Sequence, residues 1–330
     1  MASTREKRKL KVGVMRGGPS DEYEVSLKTG KNVIDSLQEI DRHDVQDIFI
    51  DRSGLWHIDG VVRPVERIFP HVDVVVNAMH GSYGEDGRVQ QLLESHRVPF
   101  TGSGSLGSAL SMNKALSKKF FKDHGLLTPE HVVIKKNNFV SELFHKIFHK
   151  YPHLKLVKPV SSGSSLGVMV FKTASEFEDA VNQAFNYSDS VLVEELIKGR
   201  EATCGVLEDS NGNIVALHPV EIRDLSTGNK EIWGYDSKYS NDLHELICPG
   251  NFSEEDTRKI MQAAVTAHRA LGLRHYSRSD FIVTRRGVYI LETNTLPGLT
   301  STSLYPKALN NAGISLGEFL DHTIELALRR

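Results

Sequence analysis

The sequence predicts an α/β fold of more than one domain, and two observations support this prediction. Short runs of β-branched and apolar residues at 10–15, 49–50 and 72–78 alternate with amphipathic runs at 25–37 and 89–94. Strands and helices that alternate in this way are typical of a parallel sheet covered by helices. The chain has 330 residues, which is long enough for two or three domains that share a cleft.

The composition excludes several classes of partner. Charged residues make up 25% of the chain and the formal net charge is -2, so no overall charge favours nucleic acid or an anionic membrane. No apolar run approaches the length of a membrane span. The basic segment 5–9 is predicted to be a disordered tail, because no apolar signal-peptide core follows it. Cys204 and Cys248 are too few for a disulfide framework, and we therefore expect a reducing, cytoplasmic location.

The N-terminal region carries two glycine-containing turns at the ends of predicted strands. Gly17 and Gly18 follow the first strand, and residues 80–87 follow the strand at 72–78. Ligands of parallel α/β sheets bind at the carboxyl ends of the strands. Glu22 and His80 are therefore candidates to face a substrate, although a lone histidine in such a turn is more often structural.

A literal G-x-G-x-x-G motif is formed by Gly102, Gly104 and Gly107. The dinucleotide-binding fingerprint also requires an acidic residue at the end of a second strand about twenty residues later. A helical pattern at 109–123 follows here instead. We interpret the motif as a tight turn between domains, with Lys114 in the following helix reaching toward a phosphate.

A Gly- and Ser-rich loop at 160–167 connects two predicted strands, at 154–159 and 168–171, after a predicted helix at 139–149. A Walker A loop would open a helix and carry lysine after its second glycine. We therefore interpret residues 160–167 as a flexible lid loop whose N–H and hydroxyl groups can wrap phosphates. Lys158 at its base adds a positive charge. The alternative is an ordinary mobile hairpin.

A third acidic region follows a predicted helix at 174–185. The apolar strand at 191–197 contains Glu194 and Glu195, and Glu201 lies in the turn beyond it. The backbone of such a strand can meet the edge of an adenine base while a carboxylate accepts hydrogen bonds from ribose hydroxyls. Taken alone, this pattern is equally compatible with a solvated strand end.

Near the C-terminus, two apolar runs at 279–284 and 288–291 are separated by a short polar turn and predict an antiparallel hairpin. This pairing places Asp280 across from Glu292 and Asn294 on one sheet face. Two carboxylates and an amide oxygen suit a hard cation such as Mg²⁺ that also binds nucleotide phosphates. A solvated hairpin with polar ends explains the hairpin alone equally well.

Together, these blocks resemble the ATP-grasp superfamily and, within it, the D-alanine:D-alanine ligases. The resemblance covers roughly residues 11–326, and the order and spacing of the blocks make it specific. The blocks are Gly-Gly-Pro-Ser-Asp-Glu-Tyr-Glu-Val-Ser at 17–26, His-Gly-Ser-Tyr-Gly-Glu-Asp-Gly at 80–87, Thr-Gly-Ser-Gly at 101–104, Ser-Met-Asn-Lys at 111–114, Lys-Pro at 158–159, Gly-Ser-Ser-Leu-Gly at 163–167, Lys-Tyr at 238–239 and Glu-Thr-Asn-Thr-Leu-Pro-Gly at 292–298.

The resemblance implies a nucleotide site shared by two lobes. It assigns ATP binding to Lys114, Lys158, Ser165, Glu194, Glu195, Ile197, Glu201 and Lys238. The lysines and Ser165 would face the phosphates, residues 194–197 the adenine, and Glu201 the ribose. Asp280, Glu292 and Asn294 would carry two Mg²⁺ ions, with Mn²⁺ as an alternative ion.

The resemblance also implies where the amino acids bind. Glu22, Ser164 and Tyr239 correspond to the family's hydrogen-bonded trio around the first D-alanine, and His80 is expected to be a further substrate-binding residue.

Four further residues would act on the reacting carbonyl and on the second D-alanine. Arg278 and the N–H of Gly298 resemble the family's oxyanion hole. Ser303 and Leu304 match the site for the second carboxylate. The sequence at 303–306 also predicts a helix with Ser303 as its N-cap, and a helix N-terminus favours an anion.

Some positions depart from the family pattern. Ser161 and Ser162 replace an Arg-Glu pair that is common in the lid, residues 232–235 read Ile-Trp-Gly-Tyr, and Glu195 replaces a frequent lysine. The first two departures lie in moving loops, so they bear on lid contacts and rate rather than on the reaction.

The implied architecture is an N-terminal parallel α/β domain followed by a two-lobed ATP-grasp fold of α+β type. We expect a basic tail at 1–9, a substrate domain at 10–102, a central lobe at 103–197 and a C-terminal catalytic lobe at 198–330.

The implied activity is the ATP-dependent ligation of two D-alanines through a D-alanyl phosphate, for peptidoglycan precursors and hence cell-wall biogenesis and cell shape. A cytoplasmic homodimer with small-molecule substrates and no nucleic-acid or membrane partner is expected. Alternatives are a D-alanine:D-lactate ligase, which Tyr239 disfavours, another carboxylate:amine ligase, and a non-catalytic nucleotide-binding module.

Overall fold

The computed structural model describes residues 8–138, 141–163, 166–225 and 244–329, with the backbone alone at 141–145. In chain order, the strands are β1 Leu10–Gly17, β2 His43–Ile50, β3 Trp56–Ile58, β4 Val61–Val62, β5 Val74–Asn77, β6 His131–Lys135, β7 Leu154–Pro159, β8 Met169–Val170, β9 Ser190–Glu195, β10 Arg200–Glu208, β11 Ile214–Ala216, β12 Val220–Asp224, β13 His244–Ile247, β14 Tyr276–Thr284 and β15 Gly287–Asn294.

The helices lie between and after these strands. They are α1 Tyr23–Ile40, α2 Val65–Ile68, α3 Arg88–Ser95, α4 Ser105–Met112, α5 Lys114–Asp123, α6 Ser141–Lys150, α7 Ala174–Ala184, α8 Glu254–Ala270, α9 Leu304–Asn311 and α10 Leu316–Leu328, with short 3-10 turns at Phe69–His71 and Lys136–Asn138. Within the described ranges, no helix is long and apolar enough to cross a membrane.

The N-terminal sheet has the order β4-β3-β2-β1-β5 and is only partly parallel. Strand β1 pairs in parallel with β2 and β5, as predicted. Strands β3 and β4 are antiparallel additions at one edge, which the alternating pattern did not predict. The reason is the connection, because the few residues between β2 and β3 form a tight turn around Asp51, whereas a parallel crossover needs a dozen or more residues.

Two antiparallel sheets follow. The central sheet has the order β6-β9-β7-β8, and the C-terminal sheet has the order β13-β12-β10-β14-β15 with β11 paired to β10. The predicted hairpins around the lid loop and around Arg285-Arg286 are both confirmed, as the β7–β8 and β14–β15 pairs.

Residues 109–123 do not form the single helix that the apolar pattern predicts. The chain breaks at Asn113, where the backbone is extended, and the Asn113 side chain accepts a hydrogen bond from the Leu116 N–H at 3.1 Å. Asparagine is among the best N-cap residues because its oxygen satisfies a free N–H of the first turn. Lys114 is therefore the first residue of α5 rather than an interior helical residue.

The N-terminal sheet and the C-terminal lobe share one hydrophobic core. Val12 and Val76 of the N-terminal sheet belong to the same cluster as Tyr276 and Phe319. At the edge of this core, the Gly102 N–H donates to His275 Nδ1 at 3.0 Å and Arg274 Nε donates to the Gly102 carbonyl at 2.8 Å. These bonds support the interpretation of the glycine motif as a turn between domains, and its last glycine lies inside α4.

Candidate active site

A β-bulge brings the predicted metal-binding side chains together. The β14–β15 ladder is regular from the turn to the pair of Phe281 with Ile290, but the next pair is Asp280 with Glu292. A regular ladder would have placed Leu291 opposite Asp280. The extra residue therefore sets both carboxylates directly across from each other on one face, as predicted.

Asp280 is held by three neighbours. Arg278 donates to both of its carboxylate oxygens at 3.0 Å, and Thr203 Oγ1 donates at 2.6 Å. Asn294 Nδ2 donates at 3.3 Å, so the Asn294 amide oxygen is the atom that could ligate an ion. Burial disfavours the charge of Arg278, but the negative charges of Asp280 and Glu292 outweigh this and raise its pKa.

The donor set fits a hard divalent cation. In the described part of the chain, no group of three or more His, Cys, Asp and Glu side chains is arranged to hold a metal ion by itself. Asp280, Glu292 and Asn294 supply two carboxylates and one amide. Mg²⁺ commonly takes one or two carboxylates and completes its shell with water and phosphate oxygens, so this set suits a nucleotide-bound ion.

Lys114 connects the hairpin to the lid loop. Its Nζ donates to the Ser162 carbonyl at 2.6 Å and lies 3.4 Å from Glu292 Oε2. Its backbone N–H donates to the Val160 carbonyl at 3.0 Å. The position at the first turn of α5, set by the Asn113 cap, aims the side chain at both elements.

The main cleft lies between the central and C-terminal sheets and has a volume of about 1020 Å³, including the space at its open mouth. It contains eight of the predicted residues together: Lys114, Lys158, Glu194, Glu195, Ile197, Glu201, Asp280 and Glu292. Apolar side chains such as Leu156, Ile222 and Phe281 form part of its wall. A cleft with apolar walls and a few convergent charges is typical of a nucleotide or cofactor site.

A buried group of charges forms the floor of this cleft. Lys158 Nζ lies 2.7 Å from Glu194 Oε1, and Lys118 Nζ lies 3.2 Å from Glu194 Oε2. Burial disfavours ionisation of Glu194, but the two lysine charges outweigh it and lower the pKa of Glu194. Because the Glu194 side chain is engaged by lysines, the strand backbone remains as the element that could contact a base.

The polar ends of the cleft are also paired. The side chain of Glu195 accepts a hydrogen bond from Arg286 Nη2 at 2.8 Å, outside the floor. Glu201 was predicted to lie in the turn after the strand, but it lies on β10 opposite Ile222 of β12, because the backbone pairs with β12 from this residue onward. Both glutamates line the cleft and are partly exposed, whereas Glu194 is buried.

A second cavity, the lid cavity, lies between the N-terminal domain and the lid loop and has a volume of about 1170 Å³, including the space at its open mouth. Its lining includes Glu22, Gly81, Arg88 and Gly163. A β-carbon at Gly163 would lie 2.1 Å from Glu22 Oε1, so the lid backbone closes directly onto this carboxylate.

His80 faces inward beside this cavity. Its Nε2 lies 2.8 Å from Thr29 Oγ1 and its Nδ1 lies 3.1 Å from Glu85 Oε1. Burial lowers the pKa of His80, but the hydrogen bond and charge of Glu85 and the charge of Glu22 outweigh this and raise it. Glu85 also lines the small cavity next to Lys114 and Glu292.

Gly298 and Ser303 are neighbours, as a shared site requires. A β-carbon at Gly298 would lie 2.9 Å from Ser303 Oγ. Ser303 occupies the N-cap position of α9, before Leu304, but its side chain makes no capping bond. Its Oγ instead lies 2.7 Å from Thr300 Oγ1 and accepts from the Thr300 N–H at 3.2 Å. The predicted helix start is confirmed, and the expected side-chain cap is wrong because Thr300 binds the hydroxyl.

Several predicted residues lie outside the described part of the chain: Ser164, Ser165, Lys238, Tyr239 and the segment 232–235. Conversely, sequence reasoning missed Glu85, Lys118 and Thr203, which contact His80, Glu194 and Asp280. Glu85 belongs to a block that carried the resemblance, and Lys118 lies one helical turn after Lys114. No local pattern marks Thr203.

Known proteins match nearly the whole chain. Family models described as D-ala D-ala ligase N-terminus and D-ala D-ala ligase C-terminus match residues 62–103 and 120–325. The D-alanine--D-alanine ligase of Halalkalibacterium halodurans is 40% identical over 97% of this chain and 100% of its own length. That of Geotalea uraniireducens is 39% identical over 96% of this chain and 95% of its own.

Solved structures agree as well. The D-alanine-D-alanine ligase from Coxiella burnetii superimposes with a TM-score of 0.83 at 29% identity, over 98% of this chain and 95% of that chain. The VanG D-Ala:D-Ser ligase from Enterococcus faecalis gives 0.84 at 30% identity, over 97% of this chain and 100% of that chain.

Proposed function

The chain belongs to the D-alanine–D-alanine ligase family, and we propose that its main cleft binds ATP while its lid cavity admits the first D-alanine. It is an ATP-dependent ligase of the ATP-grasp fold that joins two D-alanines for peptidoglycan synthesis. The observation that carries the assignment of the cleft is the convergence of Lys114, Lys158, Asp280 and Glu292 on one apolar-walled cavity. The two lysines supply positive charge for the phosphates of a nucleotide, and the two carboxylates can hold the metal ion that accompanies them.

The chemistry begins with a carboxylate that does not react with an amine at neutral pH, because its oxygen is a poor leaving group. The carboxylate of the first D-alanine attacks the γ-phosphate of ATP. This step forms an acyl phosphate and releases ADP. The amine of the second D-alanine then attacks the carbonyl carbon of this acyl phosphate, and phosphate leaves. Lys114 and Lys158 bind and orient the phosphates, and their charges offset the charge that develops on the transferred group.

Asp280, Glu292 and Asn294 are the residues that would hold magnesium. When bound, Mg²⁺ neutralises phosphate charge and aligns the phosphates. We propose two ions, with Mn²⁺ as a substitute. Arg278 holds Asp280 in place through its guanidinium fork, and Thr203 supports the same carboxylate.

The amino acids are proposed to bind beside the lid. Glu22 and His80 contact the first D-alanine, with Ser164 and Tyr239 completing the hydrogen-bonded trio around Glu22. Closure of the lid loop, including Ser165, and of Lys238 keeps water from the acyl phosphate, which would otherwise hydrolyse.

The second half of the reaction is proposed to use the C-terminal lobe. Arg278 and the Gly298 N–H stabilise the tetrahedral oxyanion. Ser303 and Leu304 receive the second carboxylate at the start of α9, where backbone N–H groups favour an anion.

Adenine is proposed to lie along residues 194–197 with its ribose at Glu201. The domain divisions at 102–103 and 197–198, a homodimeric assembly and a cytoplasmic location are further proposals. The location is supported by the use of ATP as substrate.

The experiment is phosphate release from ATP and Mg²⁺ with D-alanine as the sole amino acid, with the product mass read from the same tube. We expect phosphate and D-alanyl-D-alanine in equal amounts. Parallel reactions with D-serine or D-lactate as acceptor test the other acceptor classes. ATP turnover without dipeptide would redirect the substrate assignment, and nucleotide binding without turnover would contradict the catalytic role.

A further inference from the structure

Lys118 is a lysine with no exposed surface, buried just beneath the floor of the main cleft. It does not line the cleft. Its Nζ lies 3.2 Å from Glu194 Oε2 and donates to Thr128 Oγ1 at 2.9 Å. A fully buried lysine is rare unless it is paired, and the mechanism proposed above leaves this one without a role.

Lys118 shares one face of α5 with Lys114, because residues four apart in a helix lie one above the other. Lys114 reaches the lid carbonyl of Ser162 and the carboxylate of Glu292. Lys118 reaches Glu194 on the central sheet. The helix therefore presents one ammonium group to the phosphate end of the cleft and another to its floor.

The charge balance of the floor explains why a second lysine is needed. Glu194 lies between Lys118 and Lys158, and its single negative charge can offset only one of the two positive charges. With Lys118 present, the three side chains carry a net positive charge. Without Lys118, Lys158 would be the sole counter-ion of a buried carboxylate, and little of its charge would act on a bound anion.

We propose that Lys118 is a positioning residue for nucleotide binding, which balances Glu194 from below so that Lys158 keeps its charge for the phosphates of ATP. This inference rests on the proposed contact between Lys158 and ATP. Lys118 touches neither substrate nor metal. Its effect is on the affinity for nucleotide rather than on the chemical steps.

A pH dependence follows from the surroundings of Lys118. Burial, only partly offset by Glu194, lowers the pKa of Lys118 to about 8. The other charged groups that act on it are Lys158 on β7 and Glu292 on β15, while His131 on β6 has its own pKa lowered chiefly by burial. The charge of Lys118 is therefore lost as pH rises through about 8, in a range where His131 is already neutral.

The test is the affinity for the non-hydrolysable analogue AMP-PNP with Mg²⁺, measured by calorimetry for Lys118→Met, Lys158→Met and Lys119→Met. Methionine keeps the unbranched side chain up to the position of Cε and removes the ammonium group and its charge. We expect Lys118→Met to weaken binding about tenfold and to raise KM for ATP more than it changes kcat. Lys119→Met is the matched control, because Lys119 is on the same helix, 69% exposed and paired with Asp123.

The outcomes separate this inference from the proposed function. Weaker binding by Lys158→Met together with unchanged binding by Lys118→Met overturns the role of Lys118 alone. Unchanged binding by Lys158→Met overturns the phosphate contact and this inference with it. Thermal unfolding of each variant shows whether it is folded.

The wild-type enzyme supplies a second test that does not depend on folding of a variant. We expect its affinity for AMP-PNP to fall in one step as pH rises through about 8, and we expect Lys118→Met to lack this step. A wild-type affinity that stays constant between about pH 7 and about pH 9.5 contradicts the proposal.

Discussion

Arg278 is the residue whose proposed role in catalysis can be distinguished most sharply from a role in nucleotide binding. Its fork holds both oxygens of Asp280, and the proposed oxyanion contact would use the same guanidinium. We expect Arg278→Ala to lower kcat by about a hundredfold to a thousandfold, as for other donors of this type, with a much smaller loss of AMP-PNP affinity. Steady-state kinetics and calorimetry measure the two quantities.

Arg278→Lys and Arg258→Ala complete this comparison. Lysine keeps a positive charge beside Asp280 but loses the planar fork, so nucleotide affinity should recover more than kcat. Arg258 lies exposed on α8, and its removal should change neither quantity. Loss of affinity with kcat retained in Arg278→Ala would mean that Arg278 serves nucleotide binding only.

His268 makes stability depend on pH. It is fully buried on α8, with Nδ1 2.8 Å from Ser277 Oγ, and burial lowers its pKa from 6.5 to about 4. The unfolded chain therefore binds a proton that the folded chain does not as pH falls below about 6.5. Between about pH 7.5 and about pH 5 this residue should remove about 2 kcal/mol from the free energy of unfolding.

Urea unfolding of the wild type and of His268→Gln at these two pH values checks this prediction. The variant should lose less stability on acidification than the wild type. Equal losses in both proteins would show that His268 is not the residue responsible.

Candidate site residues that lie beside glycine-rich turns or apolar strands could be recognised in the sequence. Residues whose importance depends only on tertiary contacts could not. Lys158 lies beside the glycine-rich lid loop, Asp280 lies near the start of one apolar run, and Glu292 follows the end of the next, so their types and positions were informative. Lys118 resembles any other lysine of an amphipathic helix until β9 brings Glu194 against it. Glu85 likewise becomes a candidate site residue only because the fold places it against His80 and in the wall of a cavity.

At the scale of the element, the Asn113 cap places Lys114 at the start of α5. We expect Asn113→Ala to lower stability by about 1 kcal/mol, because a Leu116 N–H loses its partner. It should also weaken AMP-PNP binding, since the first turn that carries Lys114 frays. Urea unfolding and calorimetry measure the two effects.

Ser253→Ala is the matched control for this cap. Ser253 Oγ accepts from the Asp256 N–H at 3.0 Å at the start of α8, so its loss should have a similar effect on stability. It lies outside the residues that line the cleft, and nucleotide affinity should stay the same. Equal weakening of binding in both variants would indicate a general effect of stability.

Strongly patterned elements were predictable, and interruptions within them were not. The strand-like runs at 10–15 and 191–197 and the two hairpins were found because β-branched residues alternate with turn signals. The pair β3–β4 was missed because strands of three and two residues carry too little pattern. The break between α4 and α5 was missed because the apolar periodicity continues across Asn113.

At the scale of the whole molecule, a charge cluster fastens the N-terminal domain to the last helix. Arg42 and His43, at the beginning of β2, both contact Asp321 of α10, and His43 Nε2 lies 2.7 Å from it. Asp321 is mostly buried. We expect Asp321→Ala to lower the free energy of unfolding by about 2 kcal/mol, without changing KM for ATP, because Asp321 does not line the main cleft.

Thermal or urea unfolding together with KM tests this expectation. Asp35→Ala is the control, because Asp35 forms an exposed pair with Lys31, and such pairs contribute about 1 kcal/mol or less. A large change of KM in Asp321→Ala would show that this cluster also orients the domains around the cleft.

The arrangement of the three sheets was predicted from the resemblance to a known family and not from the local pattern of apolar residues. Alternating strands and helices predicted the parallel part of the N-terminal sheet, but no local signal shows that the main cleft lies between the second and third sheets. That position depends on residues far apart in the chain, such as Lys114 and Glu292, which meet only in the folded molecule.

The number of residues in the β14–β15 hairpin is more tightly constrained than the identity of its turn residues. Because the bulge sets Asp280 opposite Glu292, one residue gained or lost between the turn and the bulge would rotate Glu292 to the far face of the sheet. The turn residues Arg285 and Arg286 contribute no side chain to the cleft. Replacing these two residues would remove the bond from Arg286 to Glu195 but would leave Asp280 opposite Glu292. An in-frame insertion or deletion between the turn and the bulge would separate the two carboxylates in a single step.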